Sequence, residues 1–316
     1  MDPLSIINSL VLAAVLSLFM LELGAAIFLL LNYNKYKERL AAYVAPIWEI
    51  TGTMSVFYVV SLEAFYPTLI AVVGALYVGP IILAMLFILV RDSFLAYSEY
   101  MEESATEVAY SKIYGISTIV GLALVVSVLS SGISGMGISV QGLTSNYLAM
   151  IFNPFNVLFL LAVVFLVIFA SSIFFGVRSA KLQLPSFIIF VILLFASLYI
   201  YVPQILMSIV NTPYLLLPAL LLLVAIFVLY LRNSRLTRFL VLPFLFISVF
   251  TFEAYQYPML FGGQASITQY LTESANTPYL AVSIAVGGIF LIAALSYFVY
   301  IQHVHRKSEE TKPSVK

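Results

Sequence analysis

Four glutamates, Glu22, Glu49, Glu63 and Glu253, fall inside long apolar runs of this 316-residue chain. A bare charge at the centre of a membrane helix costs on the order of 2.5–3.5 kcal/mol, so each carboxyl there needs a partner or a proton. Glu22 is the deepest, about 14 Å of helix rise before its run ends at Leu31-Asn32. Gly24 stands two residues further on and permits close approach of another helix. Thr53 lies four residues after Glu49 and therefore on the same helix face. Arg91 closes the third apolar run. Carboxyl, hydroxyl and guanidinium in this arrangement support proton transfer: Arg91 and Glu49 near one surface, Thr53 a turn further in, Glu22 deeper. A plainer reading stands beside it, in which Glu49 and Arg91 snorkel to headgroups or form an ordinary pair between helices. Glu63 and Glu253 lie toward the far ends of their runs, where an interfacial place is expected.

The missing residue types exclude much else. The chain has no cysteine, which removes disulfides, thiolate catalysis and iron–sulfur ligation. Its two histidines, His303 and His305, stand near the C-terminus, so no span offers an imidazole to haem, copper or non-haem iron. Methionines such as Met20, Met54, Met85, Met150 and Met207 are expected to pack rather than to ligate. No Walker loop, HExxH or Rossmann glycine motif is present. Catalytic, cofactor-binding and metal-binding residues are thus all expected to be absent from this chain.

The elements that position the acids follow from composition. Sixty-three per cent of the residues are hydrophobic, 9% are charged, and the mean hydropathy is +1.10, which excludes a water-soluble enzyme. The formal net charge is zero, which gives no reason to expect nucleic acid as a partner. A span takes roughly 20 apolar residues. Walking the chain gives runs at 4–31, 45–65, 68–90, 113–131, 147–177, 184–209, 214–231, 239–257 and 279–301. The opening residues lack the basic stretch of a signal peptide, so the first run is expected to be a retained span. With the N-terminus outside, the segments 32–44, 91–112, 178–183 and 232–238 and the C-terminal tail hold all 14 lysines and arginines, as the positive-inside rule requires. The expectation is an all-α polytopic membrane protein of about nine transmembrane helices, two helix bundles plus one extra helix, with a cytoplasmic C-terminus. A single membrane domain, 1–302, would be followed by a charged cytoplasmic tail, 303–316.

At the polar positions the chain resembles subunit II of the cytochrome bd-type quinol oxidases. The resemblance rests on Glu22-Leu23-Gly24, on Ala45-Pro46-Ile47-Trp48-Glu49, and on Arg91 followed by the aromatic stretch Phe94 to Tyr100. It continues through Asn153-Pro154-Phe155 with Arg178 beyond, and through the outer stretch from Tyr257-Pro258 to Asn276-Thr277-Pro278. It covers nearly the whole chain. It implies a prokaryotic plasma-membrane oxidase that oxidises quinol and reduces dioxygen to water. Haems of b and d type and the quinol site would lie on a haem-bearing partner, subunit I, and a small accessory subunit can accompany the pair. This chain would stabilise the heterodimer and line a cytoplasmic proton path through Glu22, Glu49, Thr53 and Arg91. Two departures imply a divergent member, such as an archaeal one: Leu18 stands where the family commonly has a second acid, and Ser171-Ser172 replaces a frequent His-Gly pair. An ion-coupled secondary transporter is the competing class, although the motifs of the first half have no counterpart in the second. A purely structural membrane subunit is the third.

Overall fold

The computed structural model describes residues 1–100, 105–177, 180–232, 236–271 and 278–290. Arg178, the segment 272–277, the end of the ninth expected span and the 303–316 tail with His303 and His305 lie outside them. The described chain is helical almost throughout. Its helices are α1 (Pro3–Leu31), α2 (Tyr33–Phe65), α3 (Pro67–Tyr100), α4 (Ala105–Ser134), α5 (Tyr147–Phe152) and α6 (Pro154–Phe174). There follow α7 (Ala180–Tyr201), α8 (Pro203–Asn211), a 3-10 turn (Pro213–Leu216) leading into α9 (Leu217–Leu231), α10 (Thr237–Gln256) and α11 (Pro278–Phe290). Seven helices of the described residues are long and apolar enough to cross a membrane: α1, α3, α4, α6, α7, α9 with its leading turn, and α10. The second expected span is α2, and α11 begins the ninth.

Polar residues at the ends set where the helices start. Asp2 caps α1, its carboxylate accepting from the Ser5 amide at 2.9 Å, with Pro3 suited to the first turn. Asn32 both ends α1 and caps α2, accepting from the Lys35 amide at 3.1 Å.

Three expectations need correction. The segment 32–44 is not a loop: α2 starts at Tyr33, because strong helix formers such as Lys, Glu and Ala continue a helix beyond the apolar layer. The run 147–177 is not one helix. Pro154 has no amide hydrogen to donate, so α5 stops and Asn153 caps α6 afresh, accepting from the Asn156 amide at 2.8 Å. The run 184–209 breaks in the same way at Val202-Pro203.

Where the chain turns at the Asp2 end of the bundle, two small antiparallel hairpins appear that hydropathy does not reveal. One pairs β1 (Ile138–Ser139) with β2 (Thr144–Ser145), the other β3 (Met259–Leu260) with β4 (Ala265–Ser266). Gln264 ties them, accepting from the Val140 amide at 3.0 Å and donating to the Ile138 carbonyl at 3.3 Å. Gly135, at φ +73°, turns the chain where a side chain would meet the Phe261 carbonyl.

Helices α1 to α4 pack as one set and α6, α7, α9 and α10 as another, and α1 joins the two by touching α2, α4, α6 and α10. Gly24 makes this possible, because a Cβ there would collide with Ser171 of α6. Between Ser9 and Glu22 the buried face of α1 is apolar, with Ala13, Val15, Leu18 and Leu21. Its one polar residue, Ser17, turns its hydroxyl back to the Ala13 carbonyl at 2.6 Å.

Candidate functional site

The three helices that carry the sequence-predicted residues converge at Glu22. Glu22 on α1 and Arg91 on α3 are each 2% exposed, and the Arg91 guanidinium donates directly to Glu22 Oε2. The Arg91 Nε donates to Asp92 Oδ1 at 2.8 Å. The same oxygen accepts from the Trp48 indole of α2 at 2.7 Å. The result is a line of groups from Trp48 and Asp92 through Arg91 to Glu22, tying α1, α2 and α3. Asp92, with its side chain 31% exposed, is the accessible end, and Glu22 is the enclosed one.

Neutral groups complete the surroundings. The Thr51 hydroxyl, fully buried, faces the Glu22 carboxyl and donates to the Ile47 carbonyl at 2.7 Å. Tyr114 of α4 is buried beside the pair. The Arg91 guanidinium stands 5.8 Å from the Phe19 ring centroid, a cation–π placement. Among the described residues, neither Glu22 Oε1 nor the Tyr114 hydroxyl has a hydrogen-bond partner. A buried ion pair with unpartnered polar atoms beside it is a place where a proton can be received or passed on.

The structure brings two of the four predicted residues together and leaves two apart. Glu22 and Arg91 are paired, so Arg91 meets Glu22 rather than Glu49. Glu49 and Thr53 are both exposed and share a face of α2, Thr53 donating to the Glu49 carbonyl at 2.9 Å. That face points away from Glu22. Thr51, two residues away and so on the opposite side of the helix, supplies the inward hydroxyl instead. Sequence reasoning missed Asp92, Trp48, Thr51 and Tyr114 as members of the site. Trp48 and Asp92 each adjoin a residue already singled out, which was the available signal.

A second buried carboxyl stands at the opposite end of α1. Glu253 of α10 was expected at an interface, yet its Oε1 is buried, and among the described residues that atom has no hydrogen-bond partner. Its carboxyl faces the Ser9 hydroxyl of α1, with Tyr58 of α2 beside it. Tyr58 in turn faces the Asn8 side chain, and the Ser61 hydroxyl donates to Asn8 Oδ1 at 3.5 Å. Towards the chain terminus the polar line continues. The Ser5 hydroxyl lies 2.8 Å from the Tyr66 hydroxyl and donates to Asp2 Oδ2 at 2.6 Å, and the Tyr257 hydroxyl donates to the same Asp2 oxygen at 3.2 Å. Partial burial acts to raise the pKa of the Asp2 carboxyl, but hydrogen bonds from Ser5 and Tyr257 outweigh it and hold that pKa below its ordinary 3.8. Glu63, by contrast, is exposed.

Three comparisons bear on this geometry. The family model of cytochrome bd terminal oxidase subunit II matches residues 4–304. No curated protein matches the sequence. The solved structure of the bd oxidase from Geobacillus thermodenitrificans contains a chain that is similar over 95% of this chain and 97% of its own length, with a TM-score of 0.70 and 18% identity. At that identity the likeness is one of fold.

Proposed function

The chain belongs to the cytochrome bd terminal oxidase subunit II family, and from that premise we propose that it is the haem-free membrane subunit of a bd-type quinol oxidase in a prokaryotic plasma membrane. In this reading it docks against a haem-bearing subunit I that oxidises quinol and reduces dioxygen to water, and it carries protons toward that partner from the cytoplasmic side. The spans offer haem no usual ligand, since the chain has no cysteine and its two histidines stand at 303 and 305. The buried methionines Met54 and Met150 sit in hydrophobic clusters, where methionine packs. The chemistry proposed for this chain is proton handling.

The observation that carries the reading is the enclosed Glu22–Arg91 pair, with Glu22 Oε1 free of a hydrogen-bond partner among the described residues. Asp92 is the mouth of the proposed route, Arg91 keeps a positive charge beside it, and Glu22 is the inner station, with the Thr51 and Tyr114 hydroxyls at hand. Glu49 and Thr53 enter this route only if a partner subunit covers their face of α2. The orientation assumed is the one in which the basic segments face the cytoplasm.

Oxygen uptake by the purified complex, with quinol as donor, tests the proposal. Glu22→Gln keeps the side chain's shape and much of its hydrogen bonding but cannot titrate. Oxygen uptake is expected to fall while haem content and subunit stoichiometry persist. Full activity and proton uptake in reconstituted vesicles would sink the route. Failure to assemble would assign the pair a structural role, tying α1 to α3.

A further inference from the structure

The proposed function makes no use of Glu253, yet its Oε1 is buried with no hydrogen-bond partner among the described residues, and such burial has a cost. Its environment differs from that of Glu22 in one respect. The groups facing it are neutral: Ser9 from α1 and Tyr58 from α2, with Asn8 beyond Tyr58. Among the described residues no guanidinium or ammonium pairs with it. A carboxyl surrounded in this way can be accommodated by holding its proton. The second feature is a line of polar side chains on one face of α1. Ser5 follows Asp2 by three residues, Asn8 and Ser9 follow Ser5 by three and four, and Tyr66, Tyr257, Tyr58 and Ser61 close the line from neighbouring elements. Asp2 and Tyr257, at the end of this line, are part-exposed.

We propose that Glu253 is a proton-holding site that exchanges with water at the Asp2 end of the bundle through Ser9, Ser5 and Tyr66. The step is one of acid–base exchange: the carboxylic acid gives its proton to the Ser9 side of the line, becomes a carboxylate, and is reprotonated from the same side. No other reactant takes part. Ser9 and Ser5 are one helical turn apart, about 6 Å of rise, a gap that one bridging water spans. Beyond Ser9 in the other direction lies the apolar face of α1, so the exchange opens toward one end only.

Infrared spectroscopy of the intact purified complex reads the proposal directly. A protonated buried carboxyl gives a carbonyl stretch that is separate from the amide bands. In the wild type that band is expected to be present and to move to lower frequency in D2O. Glu253→Gln removes it, and Glu22→Gln leaves it in place. Ser9→Ala keeps the acid but raises the band's frequency, because the carboxyl loses its hydroxyl neighbour. Ser5→Ala combined with Tyr66→Phe slows the D2O shift. A band that survives Glu253→Gln overturns the assignment. So does a wild-type band that never shifts in D2O, a test that depends on no variant's folding. An unchanged exchange rate in the Ser5 and Tyr66 double variant overturns the route. Oxygen uptake plays no part in these readings, so they stand or fall separately from the role of Glu22.

Discussion

Glu22 and Glu253 are the same amino acid, both carry a buried oxygen that has no partner among the described residues, and both lie against the same helix, since Glu22 is part of α1 and Glu253 faces its Ser9. One has an arginine, and the other, among the described residues, has a serine hydroxyl and a phenol. The difference teaches that the partner, more than the residue type or its depth, decides what a membrane carboxyl does. A carboxylate paired with a guanidinium can remain charged in a dry interior, and it then depends on that partner. A carboxyl among neutral groups depends on its proton.

The largest effect that would break this comparison comes from Arg91→Met. It strands the Glu22 charge in the apolar interior, and removal of one member of a buried pair costs about 3–5 kcal/mol. Thermal unfolding of the purified protein should show the loss, and the double variant Glu22→Gln with Arg91→Met should recover much of it. An additive double variant would mean that the two are not coupled. Next in size is Glu253→Gln. No charge pair is lost, and the expected change in stability is within about 1 kcal/mol by the same measurement. A loss as large as that from Arg91→Met would place a hidden cation beside Glu253 and end the contrast. The smallest effect belongs to Asp2. Its pKa is lower in the folded state than its ordinary value of 3.8, so the stability it contributes is complete above that value and disappears as pH falls through the lower folded one. The difference in unfolding temperature between wild type and Asp2→Asn should therefore be present at neutral pH and vanish in acid. A difference that persists in strong acid would show that the hydrogen bonds of Asp2 do not depend on its charge.

The helices were legible because hydropathy alone marks where a chain enters lipid. Hydropathy says less about where a helix ends, which is why α2 runs twelve residues further back than the apolar run at 45–65. Within the site, Glu22 and Arg91 stood out because charge inside an apolar run is costly and therefore conspicuous. Which charge meets which depends on how helices rotate and how deep each residue sits, and spacing along one helix cannot supply that. The four-residue spacing of Glu49 and Thr53 correctly put them on one face of α2, but could not say that the face turns outward. The spacing from Asp2 through Ser5 to Asn8 and Ser9 was equally readable as one helix face. Its meaning emerged only when α10 brought Glu253 to it.

The apolar stretch of α1 from Ala13 to Leu21 has an electrical consequence. The thirteen residues from Ser9 to Glu22 span about 20 Å of a hydrocarbon layer roughly 30 Å thick. With α1 along the bilayer normal, most of any transmembrane voltage would drop between the two carboxyls. One elementary charge moved across the whole layer changes energy by about 2.3 kcal/mol per 100 mV, so the two sites would differ by about 1.5 kcal/mol at that voltage. The two carboxyls would therefore report different potentials: changing the voltage should alter proton occupancy at one relative to the other, as at two electrodes separated by an insulator.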